Sequence, residues 1–160
     1  MRKKLCVFLF TVCLLLTGCT SIQPSYLSQE QISPEFRCKA TIVTSSGEWE
    51  AIVSHTAENG FSCESDTISY YWSGGQFYET CAGLESEKGP CTLPENSYAL
   101  ALKEYLSLIY EGQLEPIDSE TLKGSCSRGD FIIKADGKTG KLKELRCDAA
   151  GFLATFQEEF

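Results

Sequence analysis

The sequence predicts a mainly β fold of the α+β class: a single curved antiparallel sheet of about nine strands, with one helix to cover it. Three observations carry this. Apolar residues alternate with period two from residue 36 almost to the C-terminus, broken by short Gly-, Ser- and Asp-rich turns. A single long stretch, residues 98–111, has apolar residues at helical spacing instead. The other connections are short hairpin turns, whereas a parallel crossover needs a dozen or more residues.

The first two strands set the register. Phe36, Cys38, Ala40 and Ile42 alternate with Arg37, Lys39 and Thr41. Ser45-Ser46-Gly47 marks a turn, and Trp49, Ala51, Val53 and His55 then alternate with Glu48, Glu50 and Ser54. The two apolar sets share a face only if Ile42 lies opposite Trp49, because a one-residue slip sets Ile42 against Glu50. That register brings Arg37 and Lys39 near Glu50 and sets His55, read as a structural rim histidine, opposite Phe36. After a turn at 56–60 comes a short strand at 61–64. Strands at 68–72 and 77–82 flank Gly74-Gly75, a pair suited to the positive φ of a two-residue hairpin. Trp72 then faces Phe77, Tyr70 faces Glu79 and Ile68 faces Cys81. Glu79 shares a face with Tyr70 and Trp72, as a rim residue or as a partner for a polar head group.

The helix follows Pro94-Glu95-Asn96, with Asn96 or Ser97 as its cap. Tyr98, Leu102, Tyr105, Leu106 and Ile109 form its apolar stripe, and Gly112 ends it. Strands resume at 121–126, 130–135, 141–147 and 151–156, placing Phe131 over Cys147 and Ile133 over Leu145. A sheet with one apolar face must be covered. The helix, with the N-terminal segment beside it, is the candidate cover.

The chain has 22 acidic residues and 14 Lys plus Arg. Arg2, Lys3 and Lys4 belong to a leader, so the mature part carries 11 bases against 22 acids, a net charge of −11. This disfavours a nucleic-acid partner, which needs clustered bases, and docking to anionic lipid through a basic patch. One histidine leaves little for general-base chemistry or imidazole metal sites.

The leader is explicit. A basic start is followed by an almost wholly apolar run at residues 5–16, too short to span a bilayer of about 30 Å as a helix. Leu16-Thr17-Gly18-Cys19 follows, and this tetrapeptide resembles the lipobox of bacterial lipoprotein signals. The resemblance implies a signal peptide at residues 1–18, removed by cleavage before Cys19. It also implies a diacylglyceryl group on the Cys19 thiol, whose two acyl chains (palmitate) are enough for stable anchoring. The protein is then held on the extracytoplasmic face of a cell membrane. Residues 19–35, polar and carrying Pro24 and Pro34, read as lipidated cysteine and tether, with room for a short helix near Leu27–Ile32, and residues 36–160 as the folded domain.

The element order resembles the bacterial lipoprotein-carrier (LolA/LolB-like) fold over roughly residues 36–156. The matching features are the opening hairpin at 36–42 and 48–53, the helix after Leu93-Pro94, the turn Asp136-Gly137-Lys138-Thr139-Gly140-Lys141-Leu142, and the closing Gly151-Phe152-Leu153-Ala154-Thr155-Phe156. The resemblance implies a half-barrel with a helical lid over an apolar hollow, which in that family holds acyl chains.

Six cysteines remain beyond Cys19, and in an exported domain they imply up to three disulfides among 15 connectivities. Cys81 and Cys91 bracket a short Gly- and Pro-containing loop that is easy to close. Cys126 and Cys147 are the second expected pair. Cys38 and Cys63 are separated by Val53, about 9.6 Å apart and beyond disulfide reach. Free buried thiols acting as small apolar residues are the alternative. The spacings contain no Cys-x-x-Cys, so no metal or other cofactor is expected.

The expected function is therefore non-catalytic: a membrane-anchored lipoprotein of the cell envelope that binds a lipid, acyl chain or other amphiphile. The expected ligand contacts are Ile42, Trp49, Ile68, Tyr70 and Trp72 on the sheet and Leu102, Leu106 and Ile109 on the helix. The alternative is an envelope module that binds another protein. An enclosed hollow under the helix separates the two readings.

Overall fold

The structure, a computed structural model, describes residues 26–56, 60–81 and 89–157. The leader and Cys19 lie outside the described residues. One open antiparallel sheet of eleven strands runs in the order β6-β5-β4-β3-β2-β1-β11-β10-β9-β8-β7. The strands are β1 (Phe36–Thr44), β2 (Gly47–Thr56), β3 (Gly60–Glu64), β4 (Ile68–Ser73), β5 (Gln76–Cys81), β6 (Gly89–Cys91), β7 (Glu115–Pro116), β8 (Thr121–Cys126), β9 (Gly129–Ala135), β10 (Leu142–Cys147) and β11 (Phe152–Phe156). The helix α1 (Tyr98–Glu111) joins β6 to β7.

The expected registers are present. Ile42 faces Trp49 and Phe36 faces His55. Trp72 faces Phe77, Tyr70 faces Glu79 and Ile68 faces Cys81, and Ile133 faces Leu145. Lys39 reaches Glu50 at 2.7 Å, while Arg37 passes Glu50 and meets Glu64 of β3 through two bonds of 3.2 Å. The expectation of about nine strands is corrected to eleven. The two additions, β6 and β7, are three and two residues long, each carries a proline, and they are the outer edges of the sheet. Strands so short show no alternation, and proline is tolerated at an edge because no ladder bond is needed on its outer side.

The apolar face of the sheet packs on α1. Ile42, Val53, Phe131, Ile133, Leu145 and Ala154 are buried against Leu102, Tyr105, Leu106 and Ile109. Ser97 is the N-cap of α1, and Gly112 closes it with a bond from its N–H to the Leu108 carbonyl.

Residues 26–35, expected as part of the tether, belong to the fold. Leu27 and Ile32 are 1% and 3% exposed within the core. Between them lies a 3-10 turn, Gln29–Gln31, closed by a capping box at Ser28. The segment is bonded to three other parts of the chain. Leu27 N–H donates to Asp118 O at 2.8 Å, Gln29 Nε2 to Gly112 O at 2.9 Å, and Ser33 N–H to Gly140 O at 3.0 Å. Tyr110 OH donates back to Ser33 O at 2.8 Å.

All six cysteines of the described residues are free thiols. Cys81 faces Ile68 and Cys91 faces Phe77, four residues further along β5, or about 13 Å. The expected Cys81–Cys91 bond is absent because β6 pairs with the Phe77–Glu79 part of β5, away from Cys81. Cys126 and Cys147 are likewise unbonded. They flank one turn and point their thiols at its successive carbonyls, Cys126 Sγ to Gly129 O at 3.5 Å and Cys147 Sγ to Arg128 O at 3.6 Å. Val53 stands between Cys38 and Cys63 as the register requires.

Candidate ligand cleft

The helix lies along β2. At one end Tyr98 stacks on Trp49 with ring centroids 4.7 Å apart, and at the other Tyr110 stacks on His55 at 4.4 Å. Six strand residues cover about 20 Å and twelve helical residues about 18 Å, so the two elements match in length. His55 is fixed further. Its Nδ1 donates to Pro34 O at 2.8 Å, and Phe36 stacks on it at 6.2 Å.

This placement divides the expected ligand contacts. Ile42, Leu102, Leu106 and Ile109 are buried, and Leu27 and Ile32 from the N-terminal segment share their core. The space expected as a hollow at the centre of the sheet is occupied by side chains. Trp49, Ile68, Tyr70 and Trp72 are half-buried. Trp49 belongs to the stack with Tyr98, and Tyr70 meets Tyr98 edge-on at 6.2 Å.

Trp72 and Leu106 do come together, in a cleft of about 230 Å³ between α1 and β2–β4. Its walls include His55, Phe61, Trp72, Leu106 and Tyr110, with Ser107 on the helix side. Gly60 belongs to the same wall. It has φ +71, and a Cβ there would strike the Trp72 carbonyl. Phe77 meets the Trp72 ring edge-on at 4.9 Å. Lys103 Nζ lies over the ring, 4.1 Å from its centroid, a cation–π contact. Glu111 marks the opposite end of the cleft.

A second cleft, of about 210 Å³, opens where the N-terminal segment meets the β9–β10 turn. Phe36, Leu142 and Phe156 give it an apolar lining, and Asp136, Lys141 and Lys143 contribute charge. Asp136 is committed to its turn. It accepts bonds from the Thr139 and Lys138 N–H groups and the Thr139 hydroxyl, which hold its carboxyl at about 2.

Titratable groups under the helix are kept neutral. Burial, helped by the nearby Glu64 charge, pushes the Cys63 thiol up to about 12. Burial also pushes Tyr98 up to about 12, and Tyr70 is raised by burial and by Glu79 opposite it. Glu79 is exposed. Among the described residues no group of His, Cys, Asp and Glu is arranged to hold a metal ion. No helix of the described residues is long and apolar enough to cross a membrane.

Sequence reasoning missed Phe61, Lys103, Ser107 and Tyr110 as cleft residues. A signal was present in the helix. Lys103 and Ser107 are four apart, so they share one flank beside the apolar stripe. That flank is where helix and sheet part. Comparison with protein-family models and with curated protein sequences finds no significant match.

Proposed function

We propose that the protein is a bacterial lipoprotein anchored through Cys19 on the extracytoplasmic face of a membrane. Its domain, in this reading, binds an apolar or amphiphilic chain without catalysis, in the open Trp72–Leu106 cleft and not in the expected hollow beneath α1, whose filling favours the protein-interaction module instead. The proposed shape is a half-barrel with α1 as its lid, like that of the lipoprotein carriers. The helix contacts support it. Lys103 reaches Trp72 on β4, while the next residues, Glu104 and Tyr105, reach Arg128 at 2.7 Å and the Phe131 ring of β9 at 5.3 Å. In a flat sheet β4 and β9 stand six spacings apart, about 29 Å. A helix with its side chains is only about 10–12 Å across, so the wings curl toward it.

The carrying observation is the cleft itself, which sets Phe61, Trp72, Leu106 and Tyr110 beside the polar His55, Thr56 and Ser107 and opens along one flank of the helix. At about 30 Å³ per water-sized group, 230 Å³ accommodates about eight such groups. Eight buried methylenes contribute roughly 6 kcal/mol at about 0.8 each. On its own this would correspond to a Kd of about 40 μM, and association costs move it to the millimolar range or weaker.

The test has two parts. Cys19→Ala should abolish incorporation of a labelled palmitate, and a labelled Cys19→Ala product would refute the anchor. Saturable change of Trp72 emission on adding a medium-chain amphiphile, lost in Ser107→Trp where a ring fills the cleft, supports binding. Unchanged emission with a panel of amphiphiles would replace this reading by the protein-interaction module.

A further inference from the structure

We infer that the cleft selects an anionic single-chain amphiphile, with Lys103 taking the carboxylate or similar head group. This rests on the cleft reading above and adds the ligand's charge and orientation.

The argument begins with the cations. In a mature chain of net charge −11, nearly every base of the described residues has an acidic partner. Lys39, Lys123, Lys134 and Lys143 reach carboxylates at 2.6–3.2 Å. Arg37, Arg128 and Arg146 do so at 2.7–3.2 Å. Lys103 reaches none among the described residues. The other such lysine, Lys138, is exposed at a turn tip, whereas Lys103 is half-buried at the edge of a cleft that also carries Phe61, Trp72 and Leu106. Its ammonium rests on Trp72, a contact that leaves N–H donors free for an incoming anion.

The two ends of the cleft differ in sign. Lys103 and Glu111 are eight residues apart on one helix, about 12 Å, and both line the cleft. A negative head is attracted at the Lys103 end and repelled at the Glu111 end, so the chain runs from Lys103 past Phe61 and Leu106 toward Tyr110. The net negative charge of the domain does not oppose this at physiological salt, because exposed charges beyond about 8 Å are largely screened.

The experiment uses the full chain in nanodiscs of neutral phosphatidylcholine, with Trp49→Phe so that Trp72 alone reports. Octanoate, 1-octanol and octyltrimethylammonium are titrated at pH 8. Octanoate should bind about tenfold more tightly than octanol. Lys103→Gln should remove that preference while leaving octanol binding in place, and Lys103→Arg should retain it. If octanoate and octanol bind equally, or if Lys103→Gln keeps the preference, Lys103 only packs on Trp72 and the inference is overturned, while the cleft reading stands. Tighter binding of octyltrimethylammonium overturns it too. If none of the three binds, the cleft reading falls and this inference falls with it.

Discussion

The Gln31 carbonyl oxygen lies where a Cβ on Gly140 would stand. Gly140 has φ +70, and its own carbonyl accepts the Ser33 N–H at 3.0 Å. The glycine is therefore the seat of the N-terminal segment as well as the end of a turn.

Gly140→Ala should destabilise the fold by roughly 3 kcal/mol or more, from left-handed strain and displaced backbone together. Gly74→Ala is the control. It has φ +59 with open space around it, so strain alone applies, about 1–2 kcal/mol. Urea denaturation of both variants checks this, and equal losses would mean that the packing on Gln31 contributes nothing.

Leu27→Ala should cost about 2–4 kcal/mol, as for other fully buried leucines. Tyr26→Ala, one residue earlier and 53% exposed, should change stability by less than about 0.5 kcal/mol. Thermal unfolding of the pair distinguishes an integral segment from a loosely attached one.

Stability should fall steadily above pH 9. Cys63 and Tyr98 sit at about 12 in the fold, against ordinary values of 9.0 and 10.0. Tyr105 and Tyr110 are pushed up as well, chiefly by burial. The unfolded chain releases these protons first, so it binds fewer than the native state, and the free energy of unfolding declines as pH rises from about 9 toward 12. Urea midpoints measured from pH 8 to 10.5 should decrease, and Cys63→Ala should make the decrease shallower. A flat profile would contradict the burial of these groups.

Tyr105→Phe should stabilise the protein by up to about 1 kcal/mol. The Tyr105 hydroxyl is buried without a hydrogen-bond partner. Its neighbour, the Cys147 thiol, is a weak acceptor that already donates to Arg128 O. Removing an unsatisfied hydroxyl removes its desolvation cost while the ring contacts with Phe131 and Phe152 remain. Calorimetry decides it, since a loss of stability would mean that the thiol satisfies the hydroxyl.

Much of the sheet was legible because two independent signals agreed. Alternation assigned Ile42 and Trp49 to one face, and the turn residues fixed their pairing. The edge strands were not legible, since Gly89–Cys91 and Glu115–Pro116 are too short to alternate. Leu27 and Ile32 were hidden differently. They are two apolar residues in a polar stretch, and their burial depends on Asp118, Gly112 and Gly140, all distant in sequence. For the same reason the sequence could not say whether the space beneath α1 was filled. The candidate site was half legible: Trp72 and Leu106 came from periodicity, but Lys103 and Phe61 became cleft residues only once the helix was laid along β2.

Neighbouring strands in the sheet are neighbours in sequence everywhere except at one seam, where β1 pairs with β11. Each half, β1–β6 and β7–β11, can assemble from successive hairpins. The seam joins Ile42 to Ala154 and so closes a loop of more than a hundred residues, the slowest kind of contact to form. A chain emerging N-terminus first cannot make it until β11 is free. Until then the two runs of hairpins, β1–β6 and β7–β11, have no ladder between them.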